Sequence, residues 1–337
     1  DERRGVNWAI DASTGRPSRS RALASSRELD ICARCHSRRG QVWNEYTAGQ
    51  PIGETHRVAL LDQGLYFPDG QIRDEVYEYG SFLQSRMHQA GVTCSDCHEP
   101  HSQKLRAPGG DVCLTCHQAA KFATSRHHRH ETGSTGSQCL ECHMPGRDYM
   151  VIDHRRDHSL RVPRPDLAAT TGSPDACTGC HRDRKPEWAS DKLREWFGRT
   201  PSGLQNYAQA LHDGDTGAAG ARRRLLELAQ DRTQPAIARA SALERLDRIE
   251  NSEALAAITR LLQSPDALFR RAAVAAHRLV PADQRRVLFV MLEDPVRDVR
   301  LEALPLIAEI PAERLQAVQV DALDRAIEEY VASQEVN

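Results

Sequence analysis

The residues most able to do chemistry come as a phrase repeated five times. Cys32, Cys35 and His36 stand in CARCH, Cys94, Cys97 and His98 in CSDCH, Cys113, Cys116 and His117 in CLTCH, Cys139, Cys142 and His143 in CLECH, and Cys177, Cys180 and His181 in CTGCH. Together they use all ten cysteines. On one helical turn, positions i, i+3 and i+4 project from one face, so two thiols and an imidazole point the same way. That arrangement suits covalent haem c: each thiol adds across a porphyrin vinyl group, and the adjacent histidine reaches the iron as proximal ligand. A structural zinc site needs four ligands from paired motifs, and a histidine directly after the second cysteine in every copy does not fit that pattern. A disulfide framework would scatter cysteines at irregular spacings, and a redox dithiol would occur once. The expectation is five covalently attached haems c with iron.

The remaining histidines are the candidates for the opposite axial position. Of fifteen, five are proximal, which leaves His56, His88, His101, His127, His128, His130, His154, His158, His212 and His277. Eight of these ten precede residue 199, where the cysteines are. His88 stands six residues before Cys94 and His101 three after His98, while His127, His128 and His130 form RHHRH ahead of Cys139, His158 follows the fourth motif, and His56 lies alone in GETHR. The preferred set is His56, His88, His101, His130 and His158, with His127 the rival of His130 and His154 the rival of His158. Met87, Met144 and Met150 are poorer candidates, because His–Met ligation suits higher-potential cytochromes. His212 and His277 fall among helices, where His277 reads as a packing residue.

Two halves must position these groups. Residues 1–28 read as an extended arm, and 29–198, rich in Gly, Pro, His and Cys, as a pentahaem cytochrome c domain with little sheet, whose core the porphyrins themselves supply. Within it PDG at residues 68–70 reads as a turn, and about 75–89 as a helix leading into the second motif. Pro186 opens a helix that Gly198 ends. Beyond it no cysteine occurs, and Pro235, Pro265 and Pro295 recur every thirty residues. Each is followed by an arginine (Arg239, Arg270, Arg300) and an aligned pair, Ala242 with Leu243, Ala273 with Val274, Ala303 with Leu304. Such a period predicts stacked helix pairs, so 199–337 reads as an α-helical solenoid that resembles HEAT repeats. The fold class expected is mainly α.

Composition narrows the function. A formal charge of −2 argues against nucleic acid, and haem propionates add further negative charge. No apolar run of eighteen residues occurs, so no transmembrane segment is expected. The first twenty residues lack an apolar signal core, which fits a mature protein whose export signal has been removed; a periplasmic or extracellular location is expected. Only four of 45 basic residues are lysine, and arginine suits bidentate pairing with propionates.

The run GSFLQSRMHQAGVTCSDCHEPHSQKLR, followed by CLTCH, then CLECHMPGRDYMVIDHRRDHSLRVPRP and CTGCH, resembles the multihaem c-type cytochromes distantly related to cytochrome c554, pentahaem nitrite reductase and hydroxylamine oxidoreductase. Among these it looks most like members that fuse such a module to HEAT- or TPR-type repeats. The resemblance covers about residues 30–198. It implies that His88, His101 and His158 are distal ligands and that the haems stack in alternating parallel and T-shaped pairs. Related chains often continue into TPR repeats, which leaves open whether the native chain runs on past Asn337. Electron transfer through closely spaced bis-His haems is the expected function, between redox protein partners or neighbouring copies in a head-to-tail extracellular filament. The alternative is an oxidoreductase acting on a small nitrogen or sulfur compound at one open haem. The nitrite reductases resembled here use a lysine-ligated motif at that haem, and no CxxCK occurs in this sequence.

Overall fold

The computed structural model describes residues 5–23, 25–200 and 205–336. The architecture is mainly α, and strand among the described residues is confined to four two-stranded antiparallel pairs. The first pair lies in the N-terminal stretch, where Trp8–Ile10 runs against Pro17–Arg19 as a hairpin; residues 1–4 and 24 of the predicted arm lie outside the described residues. The hairpin docks near the third motif, with the Gly15 carbonyl accepting from the Gln118 amide at 3.2 Å and the Lys121 ammonium reaching the Ser13 carbonyl.

Short helices carry the cysteine-rich half. The predicted turn at residues 68–70 is present, with Gly70 at φ +84° and its amide donating to the Phe67 carbonyl. A Cβ at Gly70 would lie 2.0 Å from the Gln84 side chain and 2.6 Å from the Tyr207 hydroxyl, so only glycine fits here. The helix expected over about 75–89 is instead two single turns, Tyr79–Phe82 and Arg86–Gln89. Ser85 is the cause of the break. Its backbone is extended and its hydroxyl accepts from the His88 amide, an N-cap that ends one turn and starts the next.

The helix opened by Pro186 spans Pro186–Phe197 and ends on Gly198 in the left-handed region, as predicted. From Ala208–Thr216 onward, helices pack consecutively: Ala221–Gln230 on Ala236–Glu244, that helix on Ala267–Ala276, that on Arg297–Ala308, and the last on Ala317–Gln334. The helices after Pro235, Pro265 and Pro295 are the ones that touch in series. Ala242, Ala273 and Ala303 are fully buried on them, small enough to let adjacent backbones approach, and a larger side chain there would overpack by about 1–3 kcal/mol. The aligned arginines close the turns before their helices: Arg270 donates to the Ser264 carbonyl at 2.9 Å and Arg300 to the Asp294 carbonyl at 2.7 Å. His277 is buried with its Nδ1 on the Ala273 carbonyl, a packing role, as the sequence suggested.

One apolar core crosses from the cysteine-rich half into these helices. It includes Leu60, Leu61, Tyr66, Ile72 and Tyr149 together with Tyr207, Ile237, Leu243, Phe269 and Ile307. Polar bonds follow the same seam. Asp298 accepts from Arg57 at 2.9 Å and from Arg271 at 2.6 Å, and Arg271 also donates to the Val58 carbonyl. Leu61 is held at both backbone groups, its amide on the Ser241 hydroxyl and its carbonyl on Arg245. Gly53 sits where a Cβ would meet a Val296 methyl at 2.5 Å.

Candidate haem-binding site

Each CxxCH phrase begins on a short helix, although His98 already lies on the strand His98–Glu99, and Cys116 and His117 follow the end of theirs. The first closes the helix Arg27–His36, the fourth fills Cys139–His143, and the second, third and fifth lie at Cys94–Cys97, Asp111–Leu114 and Ala176–Cys180. Local sequence builds these turns. Thr93 and Asp96 make a reciprocal capping box on the second, and the Asp175 carboxylate accepts from the Cys177 and Thr178 amides on the fifth. The amides of His117 and His181 donate to the carbonyls of Cys113 and Cys177 at 2.9 Å. All ten cysteines are free thiols, none fully buried.

The five turns lie in contact order. The Cys32 and Cys94 thiols lie close enough to interact, as do those of Cys113 and Cys139. Cys97 is within electrostatic reach of Cys116, and Cys142 of Cys177 and Cys180. Neighbouring motifs therefore meet alternately through first and second cysteines. The Ser95 amide and hydroxyl both bond Glu28, which ties the first turn to the second.

Three imidazole pairs face each other at nearly equal spacing. His98 and His158 have ring centroids 6.3 Å apart with planes 27° from parallel. His143 and His127 stand at 6.1 Å and 12°, and His181 and His130 at 6.2 Å and 29°. A first-row metal–imidazole bond is about 2 Å and the ring nitrogen lies about 1.1 Å from its centroid, so two imidazoles trans on one metal have centroids about 6.2 Å apart. The three pairs match that spacing, each joins a CxxCH histidine to one outside the motifs, and each has a free thiol pair on the same turn. The residues fit haem c.

Hydrogen bonds also fix which nitrogen faces the gap. The Nδ1 atoms of His143, His158 and His130 bond the carbonyls of Arg161, Arg156 and His128 at 2.7, 2.9 and 2.6 Å, which leaves Nε2 free to ligate. Burial first, and the facing imidazole second, lower the His98 and His127 rings from the ordinary histidine value. His128 differs: its Nδ1 accepts from the His130 amide at 3.2 Å, and its ring faces no proximal histidine.

The other predicted residues are placed differently. Among the described residues no imidazole faces His36 or His117 at the paired spacing. His117 instead meets the edge of Phe122, whose other side meets His127. His88, half-buried on the turn Arg86–Gln89, stands edge-on to Phe82, whose own turn packs against Arg27–His36. His101 is 95% exposed with Nδ1 on Glu99. His56 is buried on the strand His56–Val58 and bonded to the Thr55 hydroxyl; burial, then Arg39 and Arg34, push it down to about 4. His154 is exposed and bonded to Asp148. The sequence treats His127 and His130 as rivals for one position; in the structure the His127 ring faces His143 and the His130 ring faces His181. It also contains a contact the motifs do not announce: His36 Nδ1 lies 2.9 Å from the Glu78 carboxylate.

Residues 88–122 match the family described as the doubled CXXCH motif. No curated protein matches the sequence. Among solved structures the chain is similar to the outer cell wall cytochrome OcwA, at 16% identity and a TM-score of 0.38, over 76% of this chain. It spans 66% of the length of that cytochrome. No helix among the described residues is long and apolar enough to cross a membrane. The doubled motif over residues 88–122, with two thiols and an adjacent imidazole in each phrase, indicates covalently bound haem c.

Proposed function

We propose that the chain carries five haems c and serves electron transfer. The observation that supports this best is the set of three imidazole pairs at 6.1, 6.2 and 6.3 Å. Haem c supplies a one-electron Fe(III)/Fe(II) couple at each attachment site. The chain's own residues do the rest. Cys32, Cys35, Cys94, Cys97, Cys113, Cys116, Cys139, Cys142, Cys177 and Cys180 hold the porphyrins, and His36, His98, His117, His143 and His181 are the proximal ligands. His158, His127 and His130, whose rings face His98, His143 and His181, would be the second histidines to hold those three irons. His88, edge-on to Phe82 on the turn that packs against Arg27–His36, is the ligand proposed for the iron of His36, and His101, on the loop into the third motif, for that of His117. His56 then has a packing role. Turns in contact order from the first motif to the fifth keep the attachment sites close, as one-electron transfer between sites requires.

In this reading residues 29–198 are the haem domain and 199–337 a HEAT-like solenoid bolted to it through Asp298, Arg271 and Leu61. The location is periplasmic or extracellular, the partners being redox proteins or further copies in a filament. Negative-stain images containing only monodisperse particles would remove the filament. A second reading is supported by the lack of a facing imidazole at His36 and His117: an open sixth position at either would allow reaction with a small nitrogen or sulfur compound. One pair of measurements decides between them. Pyridine haemochrome analysis is expected to return five haems per chain, and the EPR spectrum of the oxidised protein to account for all iron as low-spin. A lower haem count overturns the five-site assignment, and a high-spin signal from one or two irons favours the second reading.

A further inference from the structure

We infer that Glu78 is a positioning residue that lowers the reduction potential of the haem attached at Cys32 and Cys35. The assignment rests on the haem site proposed above at that motif. His36 and Glu78 are 42 positions apart in sequence, yet His36 Nδ1 lies 2.9 Å from the Glu78 carboxylate. His143 is the other proximal histidine with a hydrogen-bonded Nδ1, and its partner is a backbone carbonyl, that of Arg161 at 2.7 Å. The distal histidines His130 and His158 also bond carbonyls. Glu78 is thus the one carboxylate paired with a proximal Nδ1 among the described residues.

The difference has a direct electrostatic consequence. A carboxylate that accepts the Nδ1 proton bond gives the imidazole partial imidazolate character and makes Nε2 a stronger donor. A stronger donor stabilises Fe(III) over Fe(II), which lowers the potential. A neutral carbonyl does the same more weakly. The chain fixes Glu78 for this contact. It is the residue before the turn Tyr79–Phe82, which packs on Arg27–His36, and Gly80, two residues further, lies so close to the Tyr66 hydroxyl that a Cβ there would clash with it. Glu78 is 29% exposed and the His36 side chain 63%, so solvent screens part of the effect. Glu78 also lies within electrostatic reach of His98 and Arg155, so a smaller effect on the second haem is expected.

The test is a spectropotentiometric titration of the purified holoprotein and of Glu78→Gln and Glu78→Ala, with haem content counted in each. In both variants one component is expected to move upward by about a tenfold change in its reduced-to-oxidised ratio, about 59 mV for a one-electron couple. A second component should move less and the remainder not at all. Glu78→Asp, which keeps the charge, should recover part of the shift. Superimposable titrations in either fully loaded variant overturn the inference, as does an equal shift of every component, which marks a general charge or folding effect. Loss of haem from the first motif in both variants also overturns it, since Glu78 would then be needed for attachment. A wild-type haem count below five would instead overturn the five-site reading and is seen before any variant is made.

Discussion

Replacing His158 with alanine tests the axial assignment at its best-defined point. The His158 ring faces His98 with centroids 6.3 Å apart, and it is aimed by its Nδ1 bond to the Arg156 carbonyl. Alanine removes the whole ring and keeps the backbone. The flanking buried groups do not depend on the imidazole: the Asp157 carboxylate accepts from the Ile72 and Ser159 amides at 3.2 and 2.8 Å. The fold should therefore persist with one sixth ligand missing. With five CxxCH motifs, one-fifth of the iron is expected to convert from low-spin to high-spin, read by EPR of the oxidised protein against total iron. Added imidazole should restore the low-spin signal by occupying the space left. His127→Ala and His130→Ala should each convert another fifth, and the triple variant three-fifths, because the three pairs share no residue. His154→Ala, at an exposed histidine bonded to Asp148, should leave the spectrum unchanged. A wild-type spectrum from His158→Ala, or a high-spin signal from His154→Ala, would refute the pairing.

Two further outcomes concern the scaffold. Asp298→Ala leaves Arg271, buried with its charge, without the carboxylate 2.6 Å away and leaves Arg57 paired with Glu302 alone; a loss of about 3–5 kcal/mol is expected in denaturant unfolding followed by far-UV circular dichroism. An unchanged midpoint would show that the seam does not depend on this ion pair. Glu244 is pushed up to about 7 by burial, against the pull of Arg271 and with Asp62 adding to the rise. Its folded pKa exceeds the unfolded value, 4.5, so the folded state binds the extra proton and stability falls as pH rises from about 4.5 through about 7. Glu244→Gln should flatten that part of the stability–pH curve; an identical slope would assign the dependence to other groups.

The parts legible in the sequence are those governed by neighbours along the chain. The spacing of two cysteines and a histidine places three groups on one turn whatever surrounds it, so the attachment chemistry can be read from the five phrases. Pro186 and Gly198 bound a helix by their own backbone preferences, and the proline period marks helices that pack in series. Where a local signal was overridden, the cause is also local but weaker: Ser85 caps the His88 amide and divides what reads as one helix into two turns.

The axial partners belong to the other category. Nothing in RHHRH separates His127, His130 and His128, since all three have the same chemistry and differ only in direction. The turn Ser125–His128 followed by Arg129 in the left-handed region sends His127 toward His143 and His130 toward His181, and leaves His128 to accept a backbone amide. The Glu78 contact with His36 likewise joins residues 42 apart, and no spacing rule encodes it. Sequence alone indicated that this chain binds haem c covalently, because the attachment chemistry is contained within five residues. Only the tertiary structure decided which imidazole stands opposite which and that the Glu78 carboxylate touches the His36 ring, because those are distances between segments that meet only when the chain is folded.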